Sequence, residues 1–121
     1  MRRSTSHRTE RLAALIQESL AEAIATKVKD PRIGFATIMG VTVSPDAKHA
    51  TVRVSVMGSE AEKQASFDGL LHARGFLRTH LAHSLEMRSV PELHLVLDRG
   101  LEHAARIEEI LERVKREETE S

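Results

Sequence analysis

"LLHARGFLR", residues 70–78, decides the fold. Leu70, Leu71, Phe76 and Leu77 call for a core, yet Ala73, Arg74 and Gly75 sit between them. At roughly 100° per residue, one straight helix over 67–87 would place Phe67, Leu70, Leu71, Leu77, Leu81 and Leu85 on a single stripe. Arg74 would lie at the centre of that stripe, Arg78 inside it, and Phe76 on the opposite side in water. Burying two unpaired guanidinium groups while exposing a phenyl ring is unfavourable. A break at Gly75 removes the conflict: the second helix takes its own phase, Phe76, Leu77 and Leu81 face the core together, Arg78 turns away, and Arg74 stands exposed at the corner. Gly75 supplies backbone freedom and Ala73 keeps the corner small. The new helix N-terminus favours an anion, flanked here by Arg74 and Arg78, and phosphate is the natural one. An unbroken helix would instead carry a mid-helix glycine at about 1 kcal/mol and let its arginines snorkel to water. The rarity of unpaired buried arginine favours the break.

Upstream of the corner, Leu12, Leu15, Ile16, Leu20, Ile24 and Val28 recur at spacings of three and four, which predicts an amphipathic helix from Arg8 to Val28 with Ser6 or Thr9 at its start. Pro31 and Gly34 end it. "FATIMGVTVS" alternates Phe35, Thr37, Met39 and Val41 against Ala36, Ile38, Gly40 and Thr42. "HATVRVSVM" sets Val52, Val54 and Val56 against Thr51, Arg53 and Ser55. "SPDAK" between them is a turn, so 35–44 and 49–57 are predicted to form a hairpin. A helix follows from Ser59 or Glu60, with Glu62 in its first turn, then the corner and a further helix. Leu93, Leu95 and Leu97 mark a third strand with Pro91 at its entrance. Leu101, Ala104, Ala105, Ile107, Leu111 and Val114 mark a last amphipathic helix, and residues 117–121 are expected to be a disordered acidic tail. The order is α-β-β-α-α-β with an additional C-terminal helix. The helical segment between the second and third strands makes them parallel neighbours through a right-handed crossover. The fold class is α+β: two layers, a three-stranded mixed sheet and helices on one face. Residues 1–116 are expected to form one domain, with a basic arm over 1–7.

The chain has 121 residues, three Phe, and no Trp, Tyr or Cys. Disulfides, thiolate metal sites and thiol nucleophiles are therefore excluded. No secretory signal and no run long enough to cross a bilayer is read, so a soluble intracellular protein is expected. Net charge is zero but uneven: residues 1–11 carry four Arg against one Glu, while residues 108–121 carry six Glu against three Lys and Arg. Such asymmetry suits an anionic partner; a solvated dipolar surface is the plain alternative.

Four motifs, Asp30-Pro31-Arg32, Ser44-Pro45-Asp46-Ala47, Ala73-x-Gly75-Phe76-x-Arg78 and Val90-Pro91-Glu92-Leu93, occur in one order between residues 30 and 93, with matching sequence around them over residues 8–114. In this combination the sequence resembles the bacterial ribosome-binding factor A family. The resemblance implies a type II KH-like fold in which a short Ala-x-Gly kink, here Ala73, Arg74 and Gly75, replaces the GxxG loop that clamps a nucleic-acid backbone in ordinary KH domains. It implies a non-catalytic cytoplasmic factor, without cofactor or metal, acting as a monomer. Its partners would be the free small (30S) ribosomal subunit and 16S rRNA, with an assembly GTPase as a further partner. Its role would lie in late maturation and 16S rRNA end processing. Arg74 and Arg78 would face phosphate and Arg88 would extend that surface. Arg3, Arg8 and Arg11 would add a basic helix face or arm, and Lys27, Lys29 and Arg32 form a cluster after the first helix. For these outer residues solubility alone is the plain reading. The acidic C-terminal stretch departs from a uniformly basic RNA-binding protein, and solvation of the tail is the preferred account.

Two other functions are weighed. A KH-like protein-interaction module without RNA binding would show an exposed apolar patch at the kink. A metal-dependent hydrolase would use "HLAHSLE", where His80 and His83 share a helix face; a third ligand from His72, His94 or His103 is unmotivated, so these read as ordinary surface histidines. P-loop, dinucleotide and GxSxG motifs are missing from the sequence.

Overall fold

The structure, a computed structural model, describes residues 2–98 and 111–116, with side chains from His7 onward. Helix α1 (Arg2–Thr26) precedes strands β1 (Ala36–Val43) and β2 (His49–Val56), then helices α2 (Glu60–His72) and α3 (Arg74–Ser84) and strand β3 (Glu92–Leu97). The sheet order is β1-β2-β3, with β1 antiparallel and β3 parallel to β2. The α+β class, element order and mixed sheet are those expected from the sequence.

The helices cover one sheet face. Ala13, Ile16, Leu20 and Ala23 of α1, Leu70 of α2, and Leu77 and Leu81 of α3 meet Ile38, Val43, Ala50, Val52, Val54 and Leu93 in a single buried cluster. In β2 the period of two holds throughout: Ala50, Val52, Val54 and Val56 are buried while His49 and Arg53 are exposed. In β1 it breaks. Ile38 pairs with Val54 but Gly40 pairs with Arg53, so Met39 is bulged out. The extra residue moves Val41 onto the face of Ala36 and Ile38 and leaves Met39 53% exposed, against the simple alternation of the sequence. Gly40 lies beneath Arg53, whose guanidinium would overlap a Cβ there.

Local chemistry sets the ends of the elements. Ser59 caps α2 through a reciprocal box: its Oγ accepts from the Glu62 N–H at 3.2 Å, and its own N–H donates to Glu62 Oε1 at 3.1 Å. Pro91, fully buried, stands just before β3 as expected. Ser44 Oγ and the Lys48 N–H both donate to Asp46 Oδ1, which closes the turn between β1 and β2.

Several expectations are corrected. Helix α1 extends back to Arg2, since nothing in "RRSTSHR" breaks it, so the helix begins six residues before the expected Arg8; the side chain of Arg3 lies outside the described residues. Leu15 and Leu71 are 44% and 37% exposed, at the rims of their apolar stripes. Phe76 is 48% exposed and does not join the core. Leu77 and Leu81, one turn apart, fix the buried face of α3, and a residue roughly 100° round from Leu77 cannot share it. Residues 111–116 are helical and exposed; the rest of the expected C-terminal helix and the tail 117–121 lie outside the described residues.

The two neighbouring side chains provide a test. Leu77→Ala opens a cavity in the cluster and should cost about 2–5 kcal/mol in urea unfolding, whereas Phe76→Ala should cost less than about 1 kcal/mol. Equal losses would mean that Phe76 is part of the core.

Candidate nucleic-acid interface

The corner falls at Ala73. Its N–H donates to the carbonyls of Gly69 and Leu70 at 3.0 and 3.1 Å, ending α2, and its carbonyl accepts from Leu77 N–H at 2.9 Å, starting α3. With φ −82° and ψ 0° it needs no left-handed backbone, and as the N-cap of α3 it makes no side-chain cap hydrogen bond. Gly75, expected to be the hinge, lies inside the first turn of α3 with no positive φ. A Cβ on Gly75 would meet nothing within 4 Å. Neither conformation nor packing asks for glycine there. What its missing side chain provides is bare backbone at a helix N-terminus, where another molecule can come close.

The residues after α1 are brought to this corner by a loop seated on α2. The carbonyl of Ala23 receives the N–H groups of both Lys27 and Val28, which closes α1. The Asp30 carboxylate then accepts from three nitrogens of Arg32, the backbone N–H at 2.9 Å and Nε and Nη2 at 3.1 and 2.8 Å. The clipped loop lies against Gly69, where a Cβ would be 2.8 Å from Ile33 Cγ1 and 3.4 Å from the Asp30 carboxylate. Its far end is held by the Gly34 N–H, which donates to the buried Ser66 Oγ at 3.2 Å. So placed, Lys27, Val28, Lys29 and Asp30 form a cleft of about 220 Å³ with His72, Ala73 and Phe76.

Of the residues expected at the site, Ala73, Arg74, Gly75, Lys27 and Lys29 are gathered at this corner. Arg74, Lys27 and Lys29 are exposed, and no ion pair engages them among the described residues. Arg78, one turn along α3 and exposed, donates to the Val90 carbonyl at 3.2 Å and so reaches the segment that carries the exposed Arg88. Arg32 is exposed but bound to Asp30, with its charge compensated inside the loop. Arg8 and Arg11 are exposed near the other end of α1; at 1.5 Å per residue, Arg8 is roughly 28 Å along the helix from Lys27. Two members of the corner escape a reading of the sequence. His72 lines the cleft, and Phe76 lies against it with its ring stacked at 6.5 Å on that of His80. The signal for Phe76 is its phase, one residue ahead of the Leu77 face. His80 and His83 gather no third ligand among the described residues, whereas His49, Glu92 and His94 do converge.

A kinked helix pair with an uncapped, glycine-bared N-terminus, two exposed lysines and an exposed ring can hold a phosphate backbone and stack a base. The sequence profile of the family described as ribosome-binding factor A matches residues 8–111. The chain belongs to that family. The ribosome-binding factor A of Chloroflexus aurantiacus is 45% identical over 112 residues, covering 92% of this chain and 88% of that protein. The solution structure of a candidate ribosome binding factor A from Thermotoga maritima superposes with TM-score 0.69 at 34% identity, over 80% of this chain and 92% of that one. The Thermus thermophilus ribosome binding factor A, as a homology model fitted into a cryo-electron microscopy map of its 30S complex, gives TM-score 0.60 at 30% identity, over 74% and 94%.

In this ribosome-binding factor A chain the loop clip has a pH signature. The hydrogen bonds from Arg32 hold the Asp30 carboxyl at about 2, below the ordinary 3.8. A depressed carboxyl pKa adds stability that is complete above the ordinary value and is lost as pH falls towards the folded one. The ¹³C carboxyl resonance of Asp30 should therefore titrate near pH 2 in the wild type and move towards 3.8 in Arg32→Ala. A wild-type midpoint near 3.8 would mean that the clip is open in solution.

Proposed function

We propose that this chain is a non-catalytic ribosome assembly factor that binds the free small ribosomal subunit through 16S rRNA at the α2–α3 corner, and supports late subunit maturation and 16S rRNA end processing. The observation that carries this is the corner itself: Arg74 and the uncapped start of α3 beside Lys27 and Lys29, with Gly75 bare and Phe76 exposed. The relative from Thermus thermophilus fitted into a 30S complex supports the same partner. Phosphate would meet the N–H groups of α3 and the cations of Arg74, Lys27 and Lys29, Arg78 and Arg88 would continue the track, and Phe76 would stack on an unpaired base. Arg8 and Arg11, far along α1, would touch a separate stretch of RNA. Residues 1–116 act as one unit in this reading, as a monomer in the cytoplasm, with an assembly GTPase as a further partner. A protein-interaction module without RNA would want an apolar patch at the corner; the lysines and arginines around Phe76 favour RNA.

Co-sedimentation with immature and mature small subunits across a salt series tests the proposal. Arg74→Glu/Arg78→Glu and Lys27→Glu/Lys29→Glu should each weaken binding at least about tenfold. Each should also flatten the plot of log K against log salt by roughly 0.7–0.9 for every phosphate that the variant no longer neutralises. Their circular dichroism should match wild type, since all four side chains are exposed. Wild-type affinity in both variants would remove the corner from the interface. Gly75→Ala separates stability from binding: it should gain up to about 1 kcal/mol in unfolding yet bind subunits less well. Unchanged binding would mean that nothing approaches the bare backbone.

A further inference from the structure

The sheet face turned away from the helices carries a second convergence of side chains, independent of the corner. His49 opens β2 and Glu92 opens β3, and the parallel register sets them opposite each other. His94, two residues on, projects from the same side of β3. The His49 Nδ1 and His94 Nε2 atoms are 2.9 Å apart, and His49 Nδ1 is 3.8 Å from Glu92 Oε2. One ligand-capable atom from each of the three residues thus lies within 4.8 Å of the others.

We propose that His49, Glu92 and His94 form a binding site for a divalent transition metal of the zinc class. Two imidazole nitrogens and one carboxylate oxygen are the donor set that such borderline cations select, while Mg²⁺ and Ca²⁺ ask for oxygen alone. Metal–nitrogen bonds of about 2.0–2.1 Å at a tetrahedral angle place two nitrogens roughly 3.3 Å apart. The histidine nitrogens stand a few tenths of an ångström closer than that, and side-chain rotation alone separates them. Without metal, their contact requires one ring to donate and the other to accept.

The backbone holds the ligands in place. The His49 N–H donates to Ser44 Oγ at 3.0 Å, and the His49 carbonyl accepts from Ser44 N–H at 2.9 Å. Glu92 N–H donates to the Lys48 carbonyl at 2.8 Å, fixing the start of β3 beside β2. Ligands on paired strands are more closely placed than ligands on loops, so little order is lost on binding. Asp46, whose carboxyl is held below its usual range chiefly by the Ser44 hydroxyl, adds negative potential near the site. The side chains of His49 and Glu92 are 52% and 60% exposed, so an ion can enter and keep water or a partner's atom as its fourth ligand. Bound there, it would staple β2 to β3, a pair otherwise joined by backbone bonds and the core.

The test is titration of the untagged full chain with Zn²⁺ by calorimetry and with Co²⁺ by visible absorption. One ion per chain is expected, with the absorption of a four-coordinate Co²⁺ site and a rise in melting temperature with added Zn²⁺. His49→Ala and His94→Ala should each weaken binding at least about tenfold, while His80→Ala/His83→Ala leaves it unchanged. In the wild type, Zn²⁺ should shift the ring resonances of His49 and His94 and not those of His80 and His83, a readout that depends on no variant folding. Absence of stoichiometric binding, binding that survives loss of both His49 and His94, or shifts confined to other histidines would each overturn the proposal.

Discussion

The corner depends on a side chain that is missing. Gly69 faces the loop after α1, and any larger residue would have to displace Ile33, whose Cγ1 already lies 2.8 Å from where a Cβ would be. Because α2 is bare at that point, the loop folds flat on it, and the Asp30–Arg32 clip and the Ser66 hydroxyl then hold it there. The C-terminal end of α1 is thereby delivered to the end of α2. Lys27 and Lys29 reach the α2–α3 corner for this reason, although more than forty residues separate them from Arg74 in sequence.

The two glycines near the corner have opposite uses. Gly69 is buried and close-packed, and its missing side chain serves the fold. Gly75 is exposed with nothing near it, and its missing side chain serves no internal contact. A glycine in a helix that neither turns nor packs costs stability and gives the fold nothing in exchange. That cost without an internal return is what motivates the proposed contact at the bare backbone. The start of α3 fits the same proposal, since the first amide groups of a helix ask for an acceptor and its N-cap residue, Ala73, supplies no side-chain cap.

How much of this is legible in the sequence follows from the range of each interaction. The element order is legible because it rests on local periodicity: Val52, Val54 and Val56 can only be one face of a strand, and Ile16 and Leu20 only one face of a helix. The need for a corner is legible too, from Arg74 caught between Leu70 and Leu77. The kink at Ala73–Gly75 is legible as well, but not which of its residues turns, because a helix can break at an ordinary alanine with right-handed dihedrals, and Ala73 does. Hydrophobicity alone turns Phe76 inward, against its own phase relative to Leu77 and Leu81. The bulge at Met39 leaves no local mark, since it arises from pairing with β2. Strand register likewise hides the meeting of His49 with Glu92 and His94, which needs the knowledge that residue 49 lies opposite residue 92.

The architecture separates two surfaces by chemistry. The helix side ends in a corner of cations and free amide groups, which suits a polyanion. The far side of the sheet presents imidazoles and a carboxylate at the start of two strands, which suits a cation. A net charge of zero is consistent with both, since 18 Lys and Arg balance 18 Asp and Glu over the chain. On the reading proposed above, the cations at the corner would draw phosphate towards Gly75 and Phe76.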